Sequence, residues 1–267
     1  NRYLAIDAEK KFLPTIPELL STKGYKSGLV ATSSITHATP AAFYAHIDSR
    51  YKEKEIAKML VDSDIDIALG GGQEFFDVTA SEDSPFMIYD KMLLDSTLLN
   101  PKEQVIGLFA EDGFDRRLGT PTQLEMTQVA LNFLENKSQS CAGFFLMSEG
   151  SQIDWAGHDN DAQYMLVEFA DFDATVQAAT DFAIENQDTL ILVTADHATG
   201  GLVLQRPKGS KVQAQWTTGS HDLSPINIYA YGPGAELFSG VMDNTEIFDL
   251  ILQALDYENL DSANCSS

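Results

Sequence analysis

The stretch FFLMSEGSQIDWAGHDN, residues 144–160, decides how this sequence folds and where its chemistry lies. Its first four residues are all apolar, which predicts a strand buried on both faces of a sheet. A polar turn ends that strand, and the carboxylates of Glu149 and Asp154 and the imidazole of His158 follow closely. Because open α/β sheets bind ligands at the carboxyl ends of their strands, we expect a functional site here.

Asp154 and His158 are four positions apart, so one turn of helix would place them on the same side. Together with Glu149 they suit a divalent metal such as zinc. Further carboxylates and imidazoles lie beside other predicted strands, namely His37 with Thr39, Asp196 with His197, and His221. Any one of these residues alone would be better explained by a surface or core role. Taken together, they favour a multinuclear metal site, whereas His46 lies on a predicted helix and is interpreted as a packing residue.

Strands alternate with helices along the chain, which predicts an α/β fold with a mostly parallel central sheet and helices on both faces. A chain of 267 residues fits a single domain, residues 1–267. The predicted strands are residues 27–33, 65–69, 105–109, 144–147, 189–194 and 226–231. The predicted helices are residues 12–24, 53–61, 122–136, 162–186 and 244–255. Residues 76–102 have weak periodicity, and the glycines at 70–72 favour a turn over a phosphate-binding loop because the P-loop lysine is absent.

The composition is strongly acidic, with 40 Asp and Glu against 17 Lys and Arg and a formal charge of -23. Such a charge argues against a nucleic-acid-binding surface, which must be basic. For an enzyme that acts on anions, bound divalent cations could reverse the sign of the charge locally. No run of about eighteen apolar residues occurs, so no membrane span is expected. Cys141 and Cys265 could form one disulfide but not a disulfide framework.

Five separate motifs, in the same order along the chain, resemble those of the alkaline phosphatase family. They are VATSSITHATPAAFYAHIDSR at 30–50, LGGG at 69–72, SEGSQIDWAGH at 148–158, VTADHATGG at 193–201, and GSH at 219–221 followed by YAYGPGAE at 229–236. The resemblance covers essentially the whole chain. It implies the alkaline-phosphatase-like α/β fold.

The resemblance also implies a site with two zinc ions and one magnesium ion. The implied ligands are Asp154, His158 and His221 for the first zinc, Asp196 and His197 for the second, and Thr39 and Glu149 for magnesium. Arg50 would hold two phosphate oxygens through its planar guanidinium group. His37 and Trp155 stand where the best-known enterobacterial member has an aspartate and a lysine, and this pair resembles the marine bacterial branch. Because imidazole favours zinc more than a carboxylate does, the metal in the third site stays open.

The same resemblance leads us to expect a longer natural chain. Family members carry an early strand that ends in a metal-bridging aspartate, and an Asp-Ser-Ala segment that supplies the nucleophilic serine. A helix begins at that serine, and residues 1–7 resemble the family's segment on the C-terminal side of this helix. An Asp261-Ser262-Ala263 sequence occurs near the C-terminus, but no strand is predicted before it and no helix after it. Ser262 is therefore not interpreted as the nucleophile.

The implied function is hydrolysis of phosphate monoesters of broad specificity through a phosphoserine intermediate, with the serine outside this sequence. The implied partners are small phosphate monoesters, inorganic phosphate and a second copy of the chain in a homodimer. The expected location is periplasmic or secreted. Two alternatives stay open, namely a non-catalytic metal-binding fragment and another hydrolase of the superfamily, such as a phosphodiesterase or a sulfatase.

Overall fold

The computed structural model describes residues 2–77, 85–95, 99–100, 103–207, 209 and 211–261. The chain divides into two compact units, residues 1–149 with 261–267, and residues 150–260. Ser262 and Cys265 lie outside the described residues, so the interpretation of Ser262 and the pairing of Cys141 stay predictions. The single domain likewise stays a prediction.

The first unit is built on a parallel sheet of five strands. The strands are β1 (Tyr25–Ser34), β2 (Ile67–Gly71), β3 (Phe86–Ile88), β4 (Val105–Leu108) and β5 (Gly143–Glu149). They lie in the order β3-β4-β2-β1-β5, and every neighbouring pair is parallel. In the centre, Leu29 of β1 is opposite Ala68 of β2 and Met147 of β5. The predicted parallel sheet is confirmed.

Helices cover both faces of this sheet. They are α1 (Ile16–Ser21), α2 (Ala38–Ala41), α3 (Glu53–Val61) and α4 (Gln123–Ser138). Ile56 and Leu60 of α3 share a buried cluster with Leu29 of β1, whereas Phe133 of α4 shares a second cluster with Val30. Because successive side chains of a strand point to opposite faces, Leu29 and Val30 serve the two clusters separately. The predicted helices on both faces are confirmed.

The strand β5 differs from its prediction in one respect. An uninterrupted apolar run predicts burial on both faces, but every residue from Gly143 to Glu149 is only partly buried. The reason is position, since β5 is the edge strand of the sheet and pairs with β1 alone among the described strands. The prediction of full burial was therefore wrong.

The first helix is shorter than predicted. It begins at Ile16 rather than residue 12, because Thr15 forms a capping box with Glu18. The Glu18 carboxylate accepts a hydrogen bond of 2.8 Å from the Thr15 amide, and the Thr15 hydroxyl accepts one from the Glu18 amide. Phe12 lies before the cap with 71% of its surface exposed.

Gly70 and Gly71 are the last two residues of β2, and Gly72 follows the strand. A Cβ on Gly71 would overlap the carbonyl oxygen of Asp112, and Gly72 has φ +104°, which favours glycine. The predicted turn over residues 70–72 was therefore wrong for Gly70 and Gly71, because β2 extends through them. The weakly periodic stretch 76–102 contains β3, which the prediction missed because a strand of three residues is too short to show a period.

Among its described residues, the second unit contains three α-helices and three antiparallel strand pairs. The helices are α5 (Gln152–His158), α6 (Ala162–Asn186) and α7 (Glu246–Ala254). The strands are β6 (Ile191–Val193), β7 (Ala198–Thr199), β8 (Val203–Gln205), β9 (Gln213–Gln215), β10 (His221–Asp222) and β11 (Tyr229–Tyr231). The pairs are β6 with β11, β7 with β10 and β8 with β9.

Two predictions for this unit have opposite outcomes. The bounds of α6 agree with the predicted helix 162–186, and Asp161 caps its start by accepting hydrogen bonds from the amides of Gln163 and Tyr164. The strand β6 is partly buried rather than fully buried as its apolar run predicts. Within the described ranges, no helix has both the length and the apolar character needed to cross a membrane.

Candidate metal centre

Three predicted ligands meet in the second unit. Asp154 and His158 lie on α5, one turn apart, and His221 is the first residue of β10. Nε2 of His158 is 3.2 Å from Nε2 of His221, and oxygens of Asp154 lie 3.5 Å and 3.6 Å from these two nitrogens. The three side chains thus lie close together. Helical spacing alone brings together only the pair on α5, whereas the family resemblance groups all three residues.

The spacing and chemistry of these donors fit zinc. A tetrahedral zinc with ligand bonds of about 2.0–2.1 Å separates neighbouring ligand atoms by about 3.3–3.4 Å. The observed separation of 3.2 Å between the two imidazole nitrogens lies close to this range, and the Asp154 carboxylate lies 3.5 Å from one nitrogen through Oδ2 and 3.6 Å from the other through Oδ1. Two imidazole nitrogens and one carboxylate oxygen are a typical donor set for zinc, and three protein ligands leave a fourth position for substrate.

Hydrogen bonds fix the orientation of His158. Its Nδ1 lies 2.9 Å from the carbonyl oxygen of Gly219, which can only accept a hydrogen. Nδ1 therefore carries the proton, and Nε2 presents its lone pair to the point of convergence. Asn160, with φ +54°, donates from Nδ2 to the carbonyl oxygens of Gly157 and Thr218. This side chain ties the end of α5 to the turn that presents His221.

Thr199 of β7 orients two of the predicted ligands at once. Its hydroxyl donates a hydrogen bond of 2.5 Å to Oδ1 of Asp154. Since that donation uses its one hydrogen, the same oxygen accepts from Nδ1 of His197 at 3.2 Å. His197 therefore carries its proton on Nδ1, and its Nε2 can coordinate a metal. Thr199 was not among the predicted site residues, although its position two residues after His197 on a short strand was a usable signal.

The second predicted ligand pair lies beside the first group. Oδ2 of Asp196 is 3.1 Å from Nε2 of His197, and the His197 ring stacks on the His221 ring with centroids 3.6 Å apart. The short distance brings one nitrogen and one oxygen donor together, as a second metal would require. Trp155 of α5 is next to Asp154 in the chain and is partly buried.

Glycines allow the elements of this centre to pack closely. A Cβ on Gly157 of α5 would lie 3.0 Å from Cβ and Cγ2 of Thr199. Gly200 has φ +82°, and a Cβ there would lie 2.6 Å from the Trp216 ring. Both positions therefore need glycine for α5 to approach the turn after β7.

Asp222, directly after His221 on β10, holds the turn that follows β7. Its carboxylate accepts hydrogen bonds from the amides of Gly201 at 3.0 Å and Ser224 at 2.9 Å. Hydrogen bonds with the side chain and amide of Ser224, and then with the Gly201 amide, hold the pKa of Asp222 below its ordinary value. The carboxylate is thus kept in the ionised form that accepts these bonds.

The remaining predicted residues lie in the first unit. His37 is the N-cap of α2, and Nη2 of Arg50 donates to Nε2 of His37 at 3.0 Å. Thr39 is the second residue of α2, which packs against both β1 and β5. Glu149 ends β5 opposite Ala31 of β1. The parallel strands therefore bring these loops to the same end of the sheet.

Comparisons with known proteins agree with this fold and these motifs. The sequence profile described as alkaline phosphatase matches residues 1–88 and 77–212. Alkaline phosphatase 3 of Bacillus subtilis (strain 168) is 33% identical, and the alignment covers 96% of this chain and 74% of that protein.

The chain belongs to the alkaline phosphatase family.

Solved alkaline phosphatases also resemble the structure closely. The alkaline phosphatase of the Antarctic bacterium TAB5 superposes with a TM-score of 0.86 at 34% identity, covering 96% of this chain and 80% of the other. A variant of that enzyme, at 35% identity, TM-score 0.85, and coverage of 96% and 79%, was solved with Mg bound in the M3 site. Membership of the alkaline phosphatase family and the shared fold make this chain a phosphoric monoester hydrolase.

Proposed function

We propose that this chain hydrolyses phosphate monoesters at a zinc centre whose first ion is held by Asp154, His158 and His221. The observation that supports the proposal is the convergence of these three donors, whose ligand atoms lie within 4.8 Å of one another. Asp196 and His197 would contribute to a second zinc. Bound zinc would withdraw charge from the phosphoryl group and lower the pKa of a coordinated nucleophile.

The third metal of the proposal is magnesium, with Thr39 and Glu149 as ligands. Both offer oxygen atoms, the donors that magnesium prefers. The TAB5 variant solved with Mg in the M3 site carries glutamate in place of a histidine, so the choice of magnesium in this chain, which has His37, rests on the oxygen donors and the family resemblance. His37 and Trp155 are the further residues that the family resemblance assigns to the site, and His37 accepts a hydrogen bond from Arg50.

Arg50 is the proposed phosphate clamp. Its guanidinium donates one hydrogen bond to His37, and this bond restricts the rotation of the long side chain. Phosphate oxygens could then be bound by a parallel pair of the other N–H groups, which a lysine cannot reproduce. A preordered clamp lowers the entropic cost of holding the phosphoryl group for attack.

The proposed chemical route passes through a phosphoserine. Acid quenching during turnover, followed by peptide mass spectrometry, tests this step. A phosphate ester on a serine supports the route, and steady turnover without any phosphoserine contradicts it. If Ser262→Ala abolishes the trapped ester, Ser262 is the nucleophile and its interpretation as a tail residue is wrong.

The function is tested by comparing ester classes on the natural protein loaded with zinc and magnesium. We expect p-nitrophenyl phosphate to be cleaved much faster than bis(p-nitrophenyl) phosphate or p-nitrophenyl sulfate. Preference for the diester or the sulfate would support the other superfamily hydrolases. Zinc binding without cleavage of any ester would support a non-catalytic metal-binding role.

We also propose a homodimer and a periplasmic or secreted location, and both rest on the family resemblance alone. Sedimentation equilibrium tests the first proposal, and a mass near that of a single chain, 29.3 kDa, would contradict it. Fractionation of the native cells with antibody detection tests the second.

A further inference from the structure

Glu53, the first residue of α3, accepts hydrogen bonds from two buried hydroxyl groups with one carboxylate oxygen. Its Oε2 accepts hydrogen bonds from Oγ of Ser34 at 3.0 Å and from Oγ1 of Thr36 at 2.7 Å. Ser34 and Thr36 are 1% and 0% exposed, so water does not compete for these donors. Hydrogen bonds between a charged acceptor and buried donors are among the strong ones.

The turn whose hydroxyl groups donate these bonds links β1 to α2. Other hydrogen bonds hold this turn as well. The Tyr44 hydroxyl donates to the carbonyl oxygen of Ile35 at 2.9 Å, and the Ile35 amide donates to Gly71 of β2 at 3.0 Å. Burial, followed by the charge of Glu53, raises the pKa of Tyr44 well above its ordinary value. Tyr44 therefore stays a neutral donor, and Glu53 supplies the negative charge next to this turn.

The same carboxylate connects two parts of the proposed phosphate site. Thr36 immediately precedes His37, and Thr39 follows on α2. Arg50 lies three residues before Glu53, and its Nη2 is 3.0 Å from Nε2 of His37. A shift of the turn would move His37 relative to Arg50. Glu53 thus helps to fix the position of His37 relative to Arg50.

We infer that Glu53 is a positioning residue for phosphate binding, which holds the turn carrying His37 and Thr39 in register with Arg50. This inference rests on the proposed function, because it assigns Glu53 a role toward the phosphate clamp of that function. The role requires an acceptor oxygen at the end of a side chain of this length. It follows that glutamine, which keeps one such oxygen, should replace Glu53 far better than alanine.

The test compares Glu53→Ala, Glu53→Gln and the control Glu55→Ala in the full 267-residue chain. Glu55 is exposed on the same helix. Inorganic phosphate is titrated against the zinc- and magnesium-loaded proteins by calorimetry. We expect Glu53→Ala to weaken phosphate binding by about tenfold to a hundredfold, as for small misplacements of positioning groups. Glu53→Gln should recover binding to within about twofold to threefold, because the acceptor remains. Zinc content should be the same in all variants.

Hydrogen exchange of the Ile35 and His37 amides supplies a second readout without metal or phosphate. Both amides are hydrogen-bonded in the turn, to Gly71 and Ser34. Glu53→Ala should speed their exchange relative to Glu55→Ala, and Thr36→Val should do the same if Glu53→Ala fails to fold. Adding Thr36→Val to Glu53→Ala should cost less than the sum of the single changes.

The inference is overturned if Glu53→Ala matches Glu55→Ala in both readouts, or if Glu53→Gln is as impaired as Glu53→Ala. Absence of phosphate binding by the unmutated, metal-loaded chain would instead count against the proposed function. In that case the exchange rates at Ile35 and His37 alone decide whether Glu53 holds the turn.

Discussion

Nε2 of His158 and Nε2 of His221 lie 3.2 Å apart, although the two residues are separated by 63 positions in the chain. Two imidazole nitrogens rarely approach so closely without a shared proton or a shared cation. Here the Asp154 carboxylate lies 3.5 Å from one nitrogen through Oδ2 and 3.6 Å from the other through Oδ1, which favours a cation.

Removing one of these imidazoles should remove zinc. We expect close to two zinc ions per chain in the full-length protein prepared without chelator, and a loss of affinity of at least about 100-fold at the first site in His221→Ala. Elemental analysis and competition with a fluorescent chelator measure both quantities. Asp159→Asn, an exposed change beside His158, should bind zinc like the unmutated chain. Equal zinc content in His221→Ala would exclude His221 as a ligand.

Thr199→Val should weaken zinc binding without removing a ligand. The valine keeps the shape but loses the hydroxyl that binds Asp154 and His197. Residues that hydrogen-bond to metal ligands typically contribute about 10-fold to 100-fold to metal affinity. The control is Thr180→Val on α6, whose hydroxyl donates within its own helix to the carbonyl oxygen of Val176. The role assigned to Thr199 fails if both variants bind zinc equally.

Arg50→Lys should separate phosphate binding from metal binding. Lysine keeps the charge but not the planar pair of donors, so affinity for inorganic phosphate should fall by roughly 10-fold to 100-fold. Zinc content should not change. Arg117→Lys, at an exposed arginine paired with Asp115, provides the control. Unchanged inhibition by inorganic phosphate in Arg50→Lys would place Arg50 outside the site.

Gly200→Ala should destabilise the chain more than Gly119→Ala. Both glycines have a positive φ, +82° and +75°, so alanine costs about 1–2 kcal/mol of backbone strain at each. At Gly200 the new Cβ also meets the Trp216 ring, which adds about 1–3 kcal/mol, whereas Gly119 faces open space. Urea unfolding measures the difference. Equal losses would show that the turn relaxes away from Trp216.

Because of Glu18, the free energy of unfolding should depend on pH in the acidic range. Burial raises its pKa, but hydrogen bonds with His46 and Thr15 outweigh burial and leave the pKa below its usual 4.5. A lowered pKa in the folded state stabilises the chain above the unfolded value, and this stabilisation is lost as the pH falls through the folded value.

Glu18→Gln is therefore expected to lower the free energy of unfolding most at the upper end of a series from about pH 6 to about pH 3. The difference from the unmutated chain should shrink below pH 4.5. Glu125→Gln in the capping box of α4 should behave similarly, since Glu125 also has a lowered pKa. If the difference in the free energy of unfolding between Glu18→Gln and the unmutated chain grew toward low pH, it would contradict the lowered pKa of Glu18.

Local sequence predicted several elements well and failed where burial depends on neighbours. The long helix 162–186 was predicted with its observed bounds because its apolar spacing is a local signal. The burial of β5 was overestimated, since an apolar run does not reveal that a strand lies at the edge of a sheet. The start of α1 was placed too early because the capping box at Thr15 and Glu18 was not recognised.

The sequence by itself determined the types of ligand, the pairing of Asp154 with His158 one turn apart, and the alternation of strands and helices that gives a parallel sheet. Only the tertiary structure decided how close His221, which the family resemblance assigns to the same zinc, comes to this pair, that Thr199 serves both Asp154 and His197, and that Glu53 holds the turn before His37. The physical reason is distance along the chain. Helical spacing follows from bonds within a few residues, whereas a hydrogen bond between separate elements exists only after their packing has brought donor and acceptor to about 3 Å.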